Sequence, residues 1–450
     1  MANKNNINVK RLPVDPGPAA WNSILPKART YPLLREDITV DWAIIGGGFA
    51  GLAAAKRLSQ LVGNDSIALL EASALAQGPA GRNSGFMIDL PHELNSESYA
   101  GGHAQDLRQI KLNRAAIDFA REMAEEYAMP KAVFDPCGKV TAAGTAKGVA
   151  HIESYRQHLE TLGEQYEVRS ADEMKTWTGT EFYQKGLFTP GAVMIQPASF
   201  IRSVADGLSE RVAIYENTPV VSMQLGDTHT LSTPQGKVKA KNVIMAVNGH
   251  LQSFGYFPGR LLHVFTYASM TRPLSPQEIK RLGGSSDWGI LPADPMGTTV
   301  RRFSDYQGGG DRIVIRNHAT LNQSIEAKES NMQRAAMLQD RSFENRFPML
   351  SGIEMEYRWG GRLCLTLNSV PAFGEIEERV WSACCQNGLG TVKGTLSGMM
   401  AAEQAVLGKS ELLDLFLDYP NPSRLPPEPF LSIGANATMR FKEWQAGLEL

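Results

Sequence analysis

The sequence predicts an α/β protein in which a parallel-sheet, nucleotide-binding half is interleaved with an antiparallel-sheet half. Three observations carry this. The stretch Thr39–Arg57 runs from an apolar strand into Gly46, Gly48 and Gly51 at G-x-G-x-x-G spacing, then into an Ala/Leu-rich helical pattern. Alternating strand-like runs broken by turns fill 212–247 and 262–318. A second glycine-rich junction, Gln386–Gly390, lies between the strand-like Val380–Cys384 and the small-residue helix Thr391–Leu407. An uninterrupted dinucleotide domain would not spread its glycine junctions to both ends of the chain. A long two-ended cofactor such as FAD would require it.

Taken in order, residues 1–38 are rich in proline and polar residues and predict an extended arm packed on the surface. Trp42–Ile45 suits a buried strand. Gly46 permits the tight turn, Gly48 lets backbone approach a pyrophosphate, and Gly51 lets the helix pack on the strand. Ser66–Leu70 predicts the next strand and ends in Glu71, twenty residues after Gly51, where an acidic side chain meets ribose hydroxyls. Gln77–Glu93 is a loop of small residues with one arginine, Arg82, and one histidine, His92. Apolar spacing predicts helices over His103–Tyr127, Tyr155–Gly163, Ala171–Thr176, Phe200–Leu208 and roughly Gln323–Phe347. Strands are expected at Phe188–Gln196, Val212–Thr218, Val220–Leu225, Thr228–Thr233, Lys237–Ala240 and Lys241–Val247.

The 450 residues allow two or three domains and a large core. With 20% charged residues and a net charge of −2, no basic stripe points to nucleic acid. The N-terminal stretch lacks an apolar signal core, and no apolar run is long enough for a membrane span, so a cytoplasmic protein is expected. Four cysteines without a C-x-x-C pair predict reduced thiols, and no His/Cys/Asp cluster has metal-ligand spacing.

The fingerprint Gly46–Gly51 with Glu71 recurs, in order, with Ala80-Gly81-Arg82-Asn83-Ser84-Gly85, Thr218-Pro219-Val220 and Ala246–Gly249. Arg358-Trp359-Gly360-Gly361, Pro371-Ala372-Phe373-Gly374 and Asn387-Gly388-Leu389-Gly390 follow. Together these resemble the FAD-dependent D-amino-acid-oxidase-like superfamily over about residues 20–410, most of all its gamma-glutamylputrescine oxidase branch. The resemblance implies an FAD-binding Rossmann-like domain of GR2 type. Its expected pieces are 39–98, 196–252 and 355–408, with 99–195 and 253–354 forming the substrate domain and 409–450 a C-terminal tail.

It further implies that Gly46, Gly48, Phe49, Ala50 and Gly51 hold the pyrophosphate and that Glu71 and Ala72 meet the adenosine ribose. Arg82, Asn83, Ser84 and Gly85 would run along the flavin, Val220 would contact the adenine side, and Gly388, Leu389, Gly390 and Thr391 the pyrimidine edge. A helix start at Gly390 would stabilise negative charge at flavin N1–C2=O. Lys393 is either a second positive charge there or a solvated surface lysine.

The expected reaction is hydride transfer from a small amine or amino acid to flavin N5, giving an imine that hydrolyses. Arg302 and Arg316 are the candidate carboxylate anchors, with salt-bridged surface roles as their alternative. Tyr267 and Tyr306 are candidate pocket walls, and Phe86 and Met87 candidate covers for the flavin face. Three positions depart from the branch. Leu389 and Gln196 stand where histidine is usual, and Arg316-Asn317 where Gly-Gly is usual. Leu389 leaves open oxygen, a quinone or a carrier protein as acceptor, and a non-catalytic flavin-holding subunit is the remaining alternative. Cys364 lies in a block that can bear covalent flavin, but non-covalent binding is expected.

Overall fold

The computed structural model describes residues 6–91, 102–306 and 308–450. Its first sheet is organised on the strand Ile38–Ile45. Both faces of that strand are buried: Trp42 and Ile44 join one core cluster, Ala43 and Ile45 another. Two-sided burial is what a parallel sheet demands, and it is why the sequence there reads as a continuous apolar run. The parallel order is Ala213–Tyr215, Ile67–Leu70, Ile38–Ile45, Lys237–Met245, Val380–Cys384. Ile44 sits between Leu69 and Ile244 in register.

The expected strands Lys237–Ala240 and Lys241–Val247 are one strand, Lys237–Met245. Its first half alternates exposed Lys237 and Lys239 with buried Val238 and Ala240, and it pairs antiparallel with His229–Ser232. Its second half is buried and pairs parallel with Val380–Ser382. The change of period mid-strand is a change of neighbours.

The second sheet has eight strands, in the order Met355–Leu365, Leu262–Thr271, Arg312–Leu321, Thr299–Phe303, Trp288–Pro292, Lys139–Ala143, Lys185–Thr189, Glu167–Ser170. All its pairings are antiparallel except that of Trp288–Pro292 with Lys139–Ala143. The boundary expected at 355 would group Met355–Leu365 with the nucleotide half. Its hydrogen bonds run instead to Leu262–Thr271. A small sheet of Phe86–Met87, Val193–Ile195 and Phe134–Asp135 lies apart from the two large ones.

Two ends of the chain differ from expectation. The arm is not a surface strip: Trp21, on the short helix Ala20–Ser23, is fully buried, packs 5.1 Å from Phe303 and donates to the Asn83 carbonyl. The C-terminal stretch forms helices Glu411–Leu417 and Phe430–Ala446. It ends with Glu449 buried against the second sheet, its carboxylate accepting from the Gly144 and Thr145 N–H groups at 2.9 and 2.8 Å. Among the described residues no helix is long and apolar enough to cross a membrane.

Candidate active site

The first glycine turn is dictated sterically. Gly46 has φ +106°, and a Cβ there would lie 2.6 Å from the Ala246 carbonyl oxygen. A Cβ on Gly51 would lie 1.8 Å from the Gly46 oxygen, so the helix Phe49–Leu61 starts hard against its strand. Gly51 therefore acts through packing and does not line the cleft. The N-cap of that helix is Gly48, which has no side chain to satisfy the first-turn N–H groups.

The second junction repeats this. Helix Gly390–Leu407 has no side-chain cap at Leu389, and Gly388 has φ +84°. Asn387 fixes the turn by accepting from the Thr366 N–H at 2.9 Å and donating to the Val370 carbonyl at 2.9 Å. Thr391 Oγ1 donates to the Phe86 carbonyl at 2.6 Å, locking this helix to the small sheet.

Both junctions open into one cleft of about 1450 Å³, mouth included. That exceeds the few hundred to about 1,000 Å³ of an ordinary small-ligand pocket. Gly46, Gly48, Phe49, Ala50, Glu71, Ala72, Asn83, Val220, Gly388 and Gly390 all line it. Two uncapped helix N-termini facing one cavity suit an extended anionic ligand with a polar group at each end, which fits FAD. Glu71 is half in the wall and half in the turn. Its Oε2 accepts from the Gly47 N–H at 2.7 Å and its Oε1 from the Ser73 N–H at 3.0 Å. Burial pushes its pKa up, against the pull of those hydrogen bonds.

The loop 80–85 is built from within. Arg82 is buried and donates to the carbonyls of Gln77, Pro16 and Gly360, while its own carbonyl accepts from Trp359 Nε1 at 2.9 Å. The guanidinium is thus a bracket between arm, loop and edge strand, not part of the cleft wall. Asn83 Oδ1 accepts from the Gly85 N–H at 2.8 Å. Ser84 and Gly85 face the second sheet: a Cβ on Gly85 would lie 2.2 Å from an Arg301 nitrogen. Arg82→Ala is expected to leave three carbonyls unpaired, to cost roughly 2–4 kcal/mol and to lower the flavin bound per chain. Visible absorbance and a melting curve check this; full cofactor retention contradicts it.

The candidate cations separate. In Thr299–Phe303 successive side chains alternate between faces. Val300 lies in the core cluster on the far face, and Arg302, which shares that side, donates to the Gly283 carbonyl. Arg302 therefore points away from the cleft, and its assignment as a carboxylate anchor is corrected. Its neighbour Arg301, passed over in the sequence, points inward with Phe303. It donates to the Ser84 and Ile195 carbonyls and lies 5.0 Å over the Trp21 ring.

Arg316 stands opposite Thr299 and Ala268 in register, beside Val314, whose side faces away from Ile313 and Ile315. Stepping two residues from Val314 puts Arg316 on the inner face. Lys393 is half-buried in the first turn of the late helix and outside the cleft lining.

Arg362 was also missed. It lines the cleft, is buried, and donates to Asp15 at 3.0 Å and to His250. Burial lowers its pKa, opposed by the Asp15 carboxylate. Cys364 lines the same wall; its thiol is pushed up by a hydrogen bond with Cys385 and by burial.

Leu389 completes an apolar cluster with Phe86, Ile88, Met194 and Leu291. Met87 points the other way, into the main core. Tyr267 is corrected as a pocket wall, because it packs with Phe265 and Ala335 and its hydroxyl meets Thr320 Oγ1 at 2.6 Å. Tyr306 packs at the edge of the main core. Gln196 caps helix Pro197–Leu208 by accepting from the Ser199 N–H, and its amide donates to the Trp21 carbonyl at 2.9 Å. His92 lies outside the described residues.

The sequence profile of the FAD dependent oxidoreductase family matches residues 41–404. A gamma-glutamylputrescine oxidoreductase from Escherichia coli K12 is 26% identical over 420 residues, covering 91% of this chain and 94% of that protein. Among solved structures, a glycine oxidase from Geobacillus kaustophilus superposes with a TM-score of 0.68 at 18% identity, over 87% of this chain and 100% of that one. An L-proline dehydrogenase from P. horikoshii does so with a TM-score of 0.64 at 17% identity, over 86% and 97%.

Proposed function

The chain belongs to the FAD-dependent oxidoreductase family, and from that premise we propose that it oxidises the CH–NH group of a small amine or amino acid with FAD held non-covalently. The observation that carries this reading is the joining of both glycine junctions in one cleft, beside an inward-facing sheet that carries Arg316. The activities named for the similar proteins, a gamma-glutamylputrescine oxidoreductase and a glycine oxidase, support an amine substrate.

In this reading Gly46, Gly48, Phe49 and Ala50 hold the pyrophosphate, Glu71 and Ala72 the ribose, and Val220 the adenine side. Asn83, Ser84 and Gly85 form the loop along the flavin, held in shape by Arg82, and Gly51 sets how closely helix and strand pack. Gly388, Leu389, Gly390 and Thr391 present the helix start to the pyrimidine edge. When bound, FAD supplies the hydride acceptor, N5. The apolar cluster Phe86, Ile88, Met194, Leu291 and Leu389 excludes water and favours the neutral amine, whose lone pair must be free as C–H is lost. Arg316 anchors a substrate carboxylate, orienting the C–H bond. Lys393 adds charge near the helix start. The oxidised carbon leaves as an imine and hydrolyses in water.

Leu389 favours a second reading of the acceptor. With no polar group in its cluster, reoxidation by a quinone or carrier protein is expected to outpace reoxidation by oxygen. Anaerobic mixing with primary, secondary and N-methylated amines, with and without a carboxylate, should bleach the flavin for at least one. Reoxidation by oxygen and by a dye then distinguishes oxidase from dehydrogenase. Arg316→Ala should raise KM for carboxylated amines alone. Flavin that stays oxidised with every amine would defeat the reading in favour of a flavin-holding subunit.

A further inference from the structure

The helix Phe430–Ala446 is apolar on two opposite faces. The inner face is fixed to the body of the protein. Glu443 is buried and accepts from His318 and, at 3.6 Å, pairs with Arg334, while Glu449 beyond the helix takes the N–H groups of Gly144 and Thr145. The outer face carries Phe430, Ile433, Phe441 and Trp444, exposed by 70, 65, 55 and 76%. The Phe441 and Trp444 rings stack with centroids 6.0 Å apart, and Leu448, 54% exposed, follows just past the helix end. Scattered exposed apolar residues need no explanation, but four large ones on a single helical face do.

We propose that this face docks on an anionic lipid surface, with the helix lying in the plane of the interface. Two features favour lipid over a second helix. Phe430 and Phe441, like Ile433 and Trp444, are eleven residues apart. That period is close to 3.6 per turn, so the stripe runs straight along the helix and suits a flat surface. A helix partner in a left-handed pair needs a 3.5 period. Charge is the second feature. Between Phe430 and Leu448 the only acidic residue is Glu443, which is buried and paired, whereas Arg440 is exposed and Lys442 half-exposed beside the stripe. Aromatic and aliphatic residues flanked by basic ones are the composition of interfacial helices. Because the inner face is already anchored, the stripe is not waiting to fold onto this chain. This docking does not rest on the amine reading.

Flotation of the full-length holoprotein tests it, using vesicles of phosphatidylcholine and phosphatidylglycerol in equal parts, and vesicles of phosphatidylcholine alone. The protein should float with the mixed vesicles and be released by high salt. Phe441→Ser with Trp444→Ser should lower the bound fraction by about tenfold or more. Arg440→Glu should lower it on the order of tenfold on the anionic vesicles only. Flavin content equal to wild type shows that the variants are folded, and Trp444→Gln alone serves if the double variant is not. No flotation of the wild type overturns the proposal. So does a wild-type dimer that the double variant converts to monomer, which would make the stripe a contact between copies.

Discussion

Gly398→Ala is expected to abolish tight flavin binding, although residue 398 lies eight residues into the late helix and outside the cleft lining. A Cβ at 398 would sit 2.0 Å from the Ala50 carbonyl oxygen, 2.8 Å from its carbon and 3.0 Å from its Cα. These are backbone atoms of the first turn of Phe49–Leu61, so no side chain can rotate out of the way. The two helices must separate by an ångström or more. They carry the two N-termini that face the cleft, so their separation moves both ends of the cofactor site at once. Overpacking of this kind costs about 1–3 kcal/mol or more, and a shift of that size in a preorganised site weakens binding by ~100-fold. Gly394→Ala is the control: its Cβ would meet the Phe49 Cβ at 3.2 Å, a contact that a small adjustment relieves. Flavin titration of apoprotein and melting of apo and holo forms check both. If Gly398→Ala binds FAD like wild type, the helix crossing does not set the site.

This effect turns on a residue the sequence shows only as one small side chain among many, which indicates where sequence reading stops. Gly46, Gly51 and Glu71 were legible because each meets a local steric or spacing requirement. The strand Val380–Cys384 was legible because a parallel strand is apolar on both faces. The burial of Trp21 was not, since one tryptophan in a proline-rich arm has no period. Nor was the helix Phe430–Ala446, because apolar residues on two opposite faces cancel the contrast on which a helical pattern depends. The loop arginine was found by its motif, yet its contacts turned out to be backbone carbonyls from three separate segments, a fact no local pattern carries.

The pair Arg301-Arg302 shows the same limit at the scale of a single bond, and it gives the second large effect. Thr299–Phe303 alternates, but nothing local says which alternate set faces inward; that is decided by the sheet's neighbours. Arg301 ends up joining Ser84, Ile195 and the Trp21 ring, that is, the flavin loop, the small sheet and the N-terminal arm. Full burial lowers its pKa to about 10, so it remains a cation at neutral pH. Arg301→Met keeps the length and removes the donors, leaving two carbonyls unpaired at roughly 1–3 kcal/mol each. The expected result is a lower melting point together with flavin affinity reduced by ~10-fold or more, because the loop 83–85 loses its support. Arg301→Lys should recover little, since one ammonium cannot reproduce the planar fork that serves both carbonyls and stacks on Trp21. Arg302→Met removes only the bond to the Gly283 carbonyl on the far face, so its cost should appear in melting and not in flavin affinity or substrate KM. The contrast between the two variants is the measurement. If Arg302→Met raises KM while Arg301→Met leaves flavin bound as in wild type, the inward face of this strand is the other one.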